Sequence, residues 1–288
     1  MQLRFWGVRG SLPIPGPDTL VVGGNTTCVS VEHDNNIFVF DAGSGIRRLG
    51  EYLEEDERSN WTGAIFLSHY HWDHIQGLPF FAPAFRSENR FHLFGEEKKG
   101  LDLYELLAEQ MQAPYFPVSI EAQQGLVTFN PLDAGDCIDV CEGVQVKALR
   151  LNHPNGAIGY RLEAGDLSVC IITDHEHPND ELDRSVVEFA RDATVLIHEA
   201  QYDPEEKRGP KSGWGHSSWQ EAARVAEQAG AGMLFLSHHD PARTDAQMIP
   251  LLSRARRIFD KTEIATEATM VSVDAVAQGA ENAVVVAV

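Results

Sequence analysis

A chain of 288 residues with 43% hydrophobic and 23% charged side chains is long enough to bury a substantial core and too apolar to be a disordered tail. Its 43 acidic against 23 basic residues leave a net charge of -20, which argues against a protein that grips RNA or DNA along the phosphate backbone with a basic face. No apolar run reaches the length of a membrane span, and the opening Leu3-Arg4-Phe5-Trp6 lacks the basic and apolar regions of a signal peptide, so a cytoplasmic protein without a membrane partner is expected.

No repeat, low-complexity block or linker marks a boundary, and residues 1–288 read as a single domain. The turn-rich Pro13-Ile14-Pro15-Gly16-Pro17 and Gly23-Gly24-Asn25 precede strand-like runs at Cys28–Val31 and Ile37–Phe40, the latter entering Asp41-Ala42-Gly43-Ser44-Gly45. A helix is expected over Ile46–Glu55, with the acidic run Glu54–Glu57 as its solvated end. The apolar run Ala64–Leu67 follows, and directly behind it stands Ser68-His69-Tyr70-His71-Trp72-Asp73-His74. Isolated histidines are usually surface or satisfied core residues. Four metal-ligating side chains within six positions at a strand mouth are hard to explain as packing. Alternation sends His69 and His71 to one side, where two imidazoles can grip one ion, while Asp73 and His74 can reach a second.

Residues 77–131 read as an insert roofing the site, with a helix near Leu101–Met111. Its Phe80, Phe81 and Phe85 are better explained as core than as stacking platforms, whereas Tyr115-Phe116, between two prolines, is the better candidate for the mouth. Cys137 and Cys141 resemble half a zinc site, but no second pair lies near them. With Cys28 and Cys170 they read as reduced, mostly buried thiols.

The second half repeats one theme, strands that end in polar residues. Val144–Leu151 runs into His153, Ser168–Ile172 into Asp174, Thr194–Ile197 into His198-Glu199, and Met233–Leu236 into His238-His239. Helices fit Leu182–Arg191, Ser218–Ala229 with capping chemistry at its start, and Asp245–Phe259, with Pro250 an alternative start for the last. Strands followed by loop ligands gather a site at one edge of the sheets in a layered α/β enzyme. The expected fold is a four-layer αββα sandwich of two mixed β-sheets flanked by helices. His69, His71, His74, His153 and His238 with Asp73 and Asp174 are too many ligands for one tetrahedral zinc and a natural set for two ions. The mixed donors suit zinc, with manganese or iron as alternatives.

The H-x-H-x-D-H cluster from His69 to His74 resembles the signature of the metallo-β-lactamase superfamily, and the likeness is nearer to its tRNase Z branch of phosphodiesterases. Asp41–Gly45 is similar to that branch's D-x-G-x-G turn, His198-Glu199-Ala200 to its H-E-A-T element, and Gly215-His216-Ser217-Ser218 to its H-S-T segment. The likeness spans roughly residues 1 to 270. It implies one ion on His69, His71 and His153, another on Asp73, His74 and His238, and Asp174 between them. It also implies that His216 donates a proton to the leaving oxygen, held by Glu199 or His198, that Asp73 orients the nucleophile, and that the chain forms a homodimer. Thr173-Asp174-His175 departs from the family's Gly before and Thr after the bridging Asp. His153 and Asp174 are only 21 positions apart, with no room for the tRNA-clamping arm found there in many true tRNA-processing members.

The expected enzyme is therefore a dinuclear phosphodiesterase acting through a metal-bridging hydroxide on a small phosphodiester, with cyclic nucleotides first and long nucleic acids not expected. Arg161 is a candidate phosphate clamp. The alternatives are a hydrolase of a lactone, thioester or β-lactam, and a metal-containing nucleotide sensor with weak catalysis.

Overall fold

The structure, a computed structural model, describes residues 1–288 except 57–59, 99, 179–180, 281 and 287–288. In chain order its elements are β1 (Gln2–Gly7), β2 (Cys28–His33), β3 (Asn36–Phe40), α1 (Ile46–Glu55), β4 (Thr62–Phe66), α2 (Trp72–Ile75), β5 (Arg90–Gly95), α3 (Leu103–Gln110), β6 (Leu126–Pro131), β7 (Cys137–Cys141), β8 (Val144–Leu151) and β9 (Ala157–Ala164). There follow β10 (Leu167–Ile172), α4 (Arg184–Phe189), β11 (Val195–Glu199), α5 (Pro204–Arg208), α6 (Trp219–Ala229), β12 (Leu234–Ser237), α7 (Asp245–Ala255), β13 (Thr262–Ile264), β14 (Thr269–Ser272), α8 (Val273–Ala277) and β15 (Val284–Val286). They form an eight-stranded sheet, β15-β14-β1-β2-β3-β4-β5-β6, and a seven-stranded sheet, β13-β12-β11-β10-β9-β8-β7. Both are mixed: β3 to β6 run parallel in the first, β10 to β13 in the second.

Period-two alternation builds the four layers. Phe38, Phe40 and Phe66 point between the sheets against Tyr160, Ile197 and Phe235. Their neighbours Ile37, Val39 and Ile65 point outward, where Leu49 and Leu53 of α1 cover them. On the other flank Cys170, Leu196 and Leu236 pack under α4, α6 and α7 through Val186, Ala222, Val225 and Leu251. The four-layer αββα sandwich read from the sequence is thus the observed architecture. Among the described residues no helix is long and apolar enough to cross a membrane.

Several local expectations are sharpened or corrected. Helix α1 has the expected bounds, though Glu57 lies outside the described residues. Helix α6 begins with Ser218 accepting from the Glu221 N–H (3.3 Å) while Glu221 accepts from the Ser218 N–H (2.8 Å). Helix α7 starts at Asp245, because Gln247 accepts from the Thr244 N–H (2.8 Å) and so caps the end there; Pro250 sits inside the helix. Cys28 and Cys170 are buried, but Cys137 is exposed, and none of the four is bonded to another.

Residues 77–131 do not act as one roof. Phe91 and Leu93 face the outer layer with Ile65, and β5 and β6 extend the first sheet by parallel pairing beyond β4. Phe81 is buried on Phe91, as expected for a core ring, whereas Phe80 packs on Phe116 near the surface and Phe85 and Tyr115 are exposed. Arg161 is not a phosphate clamp. Between the inward Tyr160 and Leu162, it faces outward from β9 and donates to the carbonyls of Phe189 (2.9 Å) and Arg191 (2.8 Å) and to Glu163 (2.7 Å). The tail beyond Val271 forms α8 and the edge strand β15 against β14.

Candidate metal centre

The parallel strands of each sheet end at the same edge, and the loops leaving them carry the site. From the first sheet, β4 ends in the loop holding His69 and His71, and α2 carries Asp73 and His74. From the second, His153 follows β8, Asp174 follows β10, Glu199 closes β11 and His238 follows β12. Three of these turning points sit at positive φ without being glycine: Asp41 (62°), Asp174 (50°) and His238 (52°). Such left-handed residues carry strain, which aims their side chains back over the strand ends.

All seven expected ligands converge. His74 Nε2 lies 3.3 Å from His238 Nε2, 3.3 Å from Asp73 Oδ2 and 3.2 Å from Asp174 Oδ2. His238 Nε2 is 3.4 Å from each of the same two oxygens. The triangle of His74, His238 and Asp73 has edges of 3.3–3.4 Å, short enough for one zinc-type ion to lie about 2.0–2.2 Å from all three corners. On the other side Asp174 Oδ1 is 3.8 Å from His69 Nε2 and 3.7 Å from His153 Nε2, and His153 Nε2 is 3.1 Å from His71 Nδ1. The two oxygens of Asp174 therefore face two different groups, His69-His71-His153 and Asp73-His74-His238, each compact enough to hold an ion.

Five of the donors are in the protonation state an ion requires. Burial works against charge on His74, but Asp174, Asp73 and Asp41 push that ring up, so an ion would have to displace its proton. Burial works against charge on Asp73 and Asp174, but the imidazoles around them win: His74 and His238 hold Asp73, and His238, His74 and His69 hold Asp174, well below the usual carboxylate range. Burial pushes His69, His71 and His153 down, leaving neutral rings with free lone pairs. The buried His69 Nε2 has no hydrogen-bond partner among the described residues, which leaves it free for an ion.

A second set of groups aims the first, and most of it was not read from the sequence. Asp41 accepts from the Ser68 N–H (2.7 Å) and hydroxyl (2.9 Å), and its Oδ2 lies 2.9 Å from His74 Nδ1. Its motif was visible, but its role as the carboxylate that fixes His74 was not. Ser68 Oγ stands 3.0 Å from His69 Nδ1, and the Gly215 carbonyl 2.9 Å from His153 Nδ1. Asp73 Oδ2 accepts from the Ser11 N–H (2.7 Å). Removing such a partner weakens metal binding by about 10–100-fold. Asp41→Ala is expected to lower zinc affinity by that amount while the fold persists, as a chelator-competition titration beside circular dichroism would measure.

His216 stands at the rim with its Nδ1 3.1 Å from Glu199 Oε2 and 3.7 Å from Asp174 Oδ1. Burial disfavours its charge, yet Glu199, then Asp174 and Asp73, outweigh that and push it up to about 9. Glu199 is thus the partner of His216, and its other oxygen accepts from the His175 N–H.

His198 does not share that role. Successive residues of β11 face opposite ways, so Glu199 looks into the site and His198 into the helix layer, where its Nδ1 donates to the Glu199 carbonyl (2.8 Å). There it stacks on His177 (5.6 Å between centroids), itself 3.2 Å from His175. Burial holds all three below the usual range, His175 at about 3. The unfolded chain titrates these rings near pH 6.5, so below that pH it binds more protons than the fold, and stability falls as pH drops. The slope is about 1.4 kcal/mol per pH unit for each such ring. Urea unfolding between pH 6.5 and 5 is expected to show a loss shallower by one such ring in His177→Gln than in the wild type.

Two clefts meet on the ridge made by Pro154. One, of about 350 Å³, opens on His69 and His71 between Leu101, Leu106 and Lys98. The other, of about 620 Å³, runs past His153 and Gly215 to Lys207 and Arg208. None of Phe80, Phe81, Phe85, Tyr115 or Phe116 lines either cleft. The residues of the supposed roof that border the metal groups are Lys98, Leu101, Leu106 and Glu109.

The sequence profile of the beta-lactamase superfamily domain matches residues 36–239, most of the chain and nearly all of this site. The chain belongs to the beta-lactamase superfamily. Among curated relatives it is similar to ribonuclease Z of Thermoplasma acidophilum, 25% identical over 307 aligned positions that cover 91% of this chain and 93% of that one. Among solved structures it is similar to the metallo-beta-lactamase fold protein YhfI from Bacillus subtilis (TM-score 0.70, 19% identity, 93% and 98% covered). Human tRNase Z, short form, gives a TM-score of 0.65 at 22% identity, with 95% and 99% covered. These likenesses set the chain in the tRNase Z-like branch as a metal-dependent hydrolase of the phosphodiesterase class, with His and Asp groups suited to divalent metal. They also correct one expectation. Relatives named for RNA cleavage that match from end to end overturn the reading that a long nucleic acid is not a partner. Net charge, the basis of that reading, sums the whole surface and does not fix the potential inside one cleft.

Proposed function

We propose that this member of the superfamily is a two-ion phosphodiesterase, zinc-dependent by the chemistry of its mixed nitrogen and oxygen donors, with RNA as the first substrate class. The observation that carries the reading is Asp174, whose two oxygens face separate ligand groups while the Glu199-His216 pair stands 3.7 Å away. Ions held by those groups would supply a hydroxide nucleophile near neutral pH and offset charge on the phosphodiester. The protein's own residues do the rest. Asp73, fixed by the Ser11 N–H, aligns the nucleophile, and His216 hands its proton to the departing oxygen. Glu199 holds that ring and stabilises its protonated form. Two further triplets that include His216 are also compact enough to bind an ion, so metal analysis of a His216 variant separates acid from ligand.

RNA comes first because the relatives that match over nine-tenths of the chain are named ribonuclease Z. A small phosphodiester such as a cyclic nucleotide is the second reading, favoured by the short path from His153 to Asp174, which holds only the β9-β10 hairpin and no clamp. The test is hydrolysis by metal-analysed protein of bis(p-nitrophenyl) phosphate, an RNA with a 3′ extension, a cyclic-nucleotide panel, a lactone and a thioester. RNA cleavage supports the first reading and turnover confined to cyclic nucleotides the second. Two bound ions without any phosphodiester turnover would overturn both.

A further inference from the structure

A metal-bound histidine needs its remote nitrogen held, because an unheld ring swings and binds weakly. His74 has Asp41, His153 has the Gly215 carbonyl and His69 has Ser68. His238 is different: it is buried to 1% exposure, its Nε2 faces Asp73 and Asp174, and its Nδ1 has no hydrogen-bond partner among the described residues. Gln201, 4% exposed, has the complementary vacancy, a buried Oε1 that accepts no hydrogen bond among the described residues. A buried donor and a buried acceptor left unpaired would each be destabilising.

The two atoms are neighbours. A Cβ placed on Gly10 would lie 2.6 Å from His238 Nδ1 and 2.7 Å from Gln201 Oε1, so both border one spot that glycine alone keeps clear. The amide is already turned the right way. Gln201 Nε2 donates towards Ser11 Oγ (3.3 Å) and the Tyr202 hydroxyl (3.5 Å), which leaves Oε1 on the His238 side. Ser11 in turn donates its backbone N–H to Asp73 (2.7 Å), so the same small network reaches two ligands of one group.

We infer that Gln201 is a positioning residue of the metal centre: its Oε1 accepts the His238 Nδ1–H, directly or through one water, and so sets the affinity of the Asp73-His74-His238 group. The inference rests on the two-ion reading above. It also gives a role to the residue that follows His198-Glu199-Ala200, which the catalytic reading leaves idle.

The test is zinc binding rather than activity. Wild type, Gln201→Leu and Gln201→Glu are titrated with Zn2+ against a chromogenic chelator, and each metal-free form is melted. The leucine variant is expected to hold one ion as the wild type does and the other about 10–100-fold more weakly, with the metal-free fold retained. The glutamate variant, which keeps an acceptor, is expected to bind both within about threefold of the wild type, and it serves even where leucine impairs folding. Wild-type binding of both ions by the leucine variant would overturn the assignment. So would equal weakening of both ions with a lowered metal-free Tm, the mark of a purely structural residue, or a glutamate variant as weak as leucine. A wild type that binds no zinc would instead remove the two-ion reading, and this assignment with it.

Discussion

Asp174→Ala is expected to leave less than one zinc per chain and to lower turnover of bis(p-nitrophenyl) phosphate by at least about 10³-fold. Among the described residues, Asp174 is the ligand that turns one oxygen to each group. Its Oδ2 lies 3.2 and 3.4 Å from the nitrogens of His74 and His238, and its Oδ1 faces His69 and His153. Alanine therefore removes a donor from each group and also a charge that would offset bound cations in a buried site. It adds backbone strain as well, because φ at this position is +50°. Asp174→Asn separates these effects, since asparagine tolerates left-handed backbone and keeps the shape while losing the charge. The asparagine variant is expected to fold as stably as the wild type and to fall between it and alanine in metal content. Two ions and full turnover in Asp174→Ala would end the shared-ligand reading.

The second large effect is expected from His216→Ala, with both zinc ions retained and turnover reduced by about 10²–10⁴-fold. The size of the loss should depend on the leaving group. A p-nitrophenolate leaves readily without a proton, so the loss on bis(p-nitrophenyl) phosphate is expected at the low end of that range. A ribose oxygen needs the proton, and the full loss is expected on a nucleotide or RNA substrate. A metal ligand would behave otherwise, since its removal depletes the ion and slows every substrate alike. Equal losses on both substrates with falling metal content would reassign His216 from acid to ligand, and unchanged turnover would remove it from the mechanism.

The ligand set was legible because the sequence packs it densely or marks it by position. His69 to His74 form a cluster that packing does not explain, and His153, Asp174 and His238 each follow an apolar run of strand length. Helix α1 was legible for a similar reason, since its apolar residues Ile46, Leu49 and Leu53 recur at helical spacing. What failed was mostly a question of face. His198 and Glu199 are adjacent in a strand, so only one of them can look into the site, and alternation alone was enough to choose. The same rule turns Arg161 away from the site, because its neighbours Tyr160 and Leu162 belong to the core. Strands β5 and β6 were hidden by a different cause. They are set among short turns, and their place in the sheet depends on pairing, β5 with β4 and the edge strand β6 with β5, rather than on local pattern. The partners that aim the ligands, from Asp41 to Gln201, come from loops whose meeting is fixed only by the tertiary fold.

The ligands come from both sheets: His69 to His74 follow strands of the first, and His153, Asp174 and His238 follow strands of the second. An ion at this edge is therefore a clasp across the seam of the sandwich as well as a reagent. Apolar packing joins the sheets along their faces, but at the open edge the chain brings two acids and a ring of imidazoles together, and cations fasten them. At a free concentration 1,000 times its dissociation constant, one ion adds about 4 kcal/mol to the native state. The lifetime of this protein against heat and proteases would then follow the supply of metal around it, so that scarcity removes the molecule along with its activity.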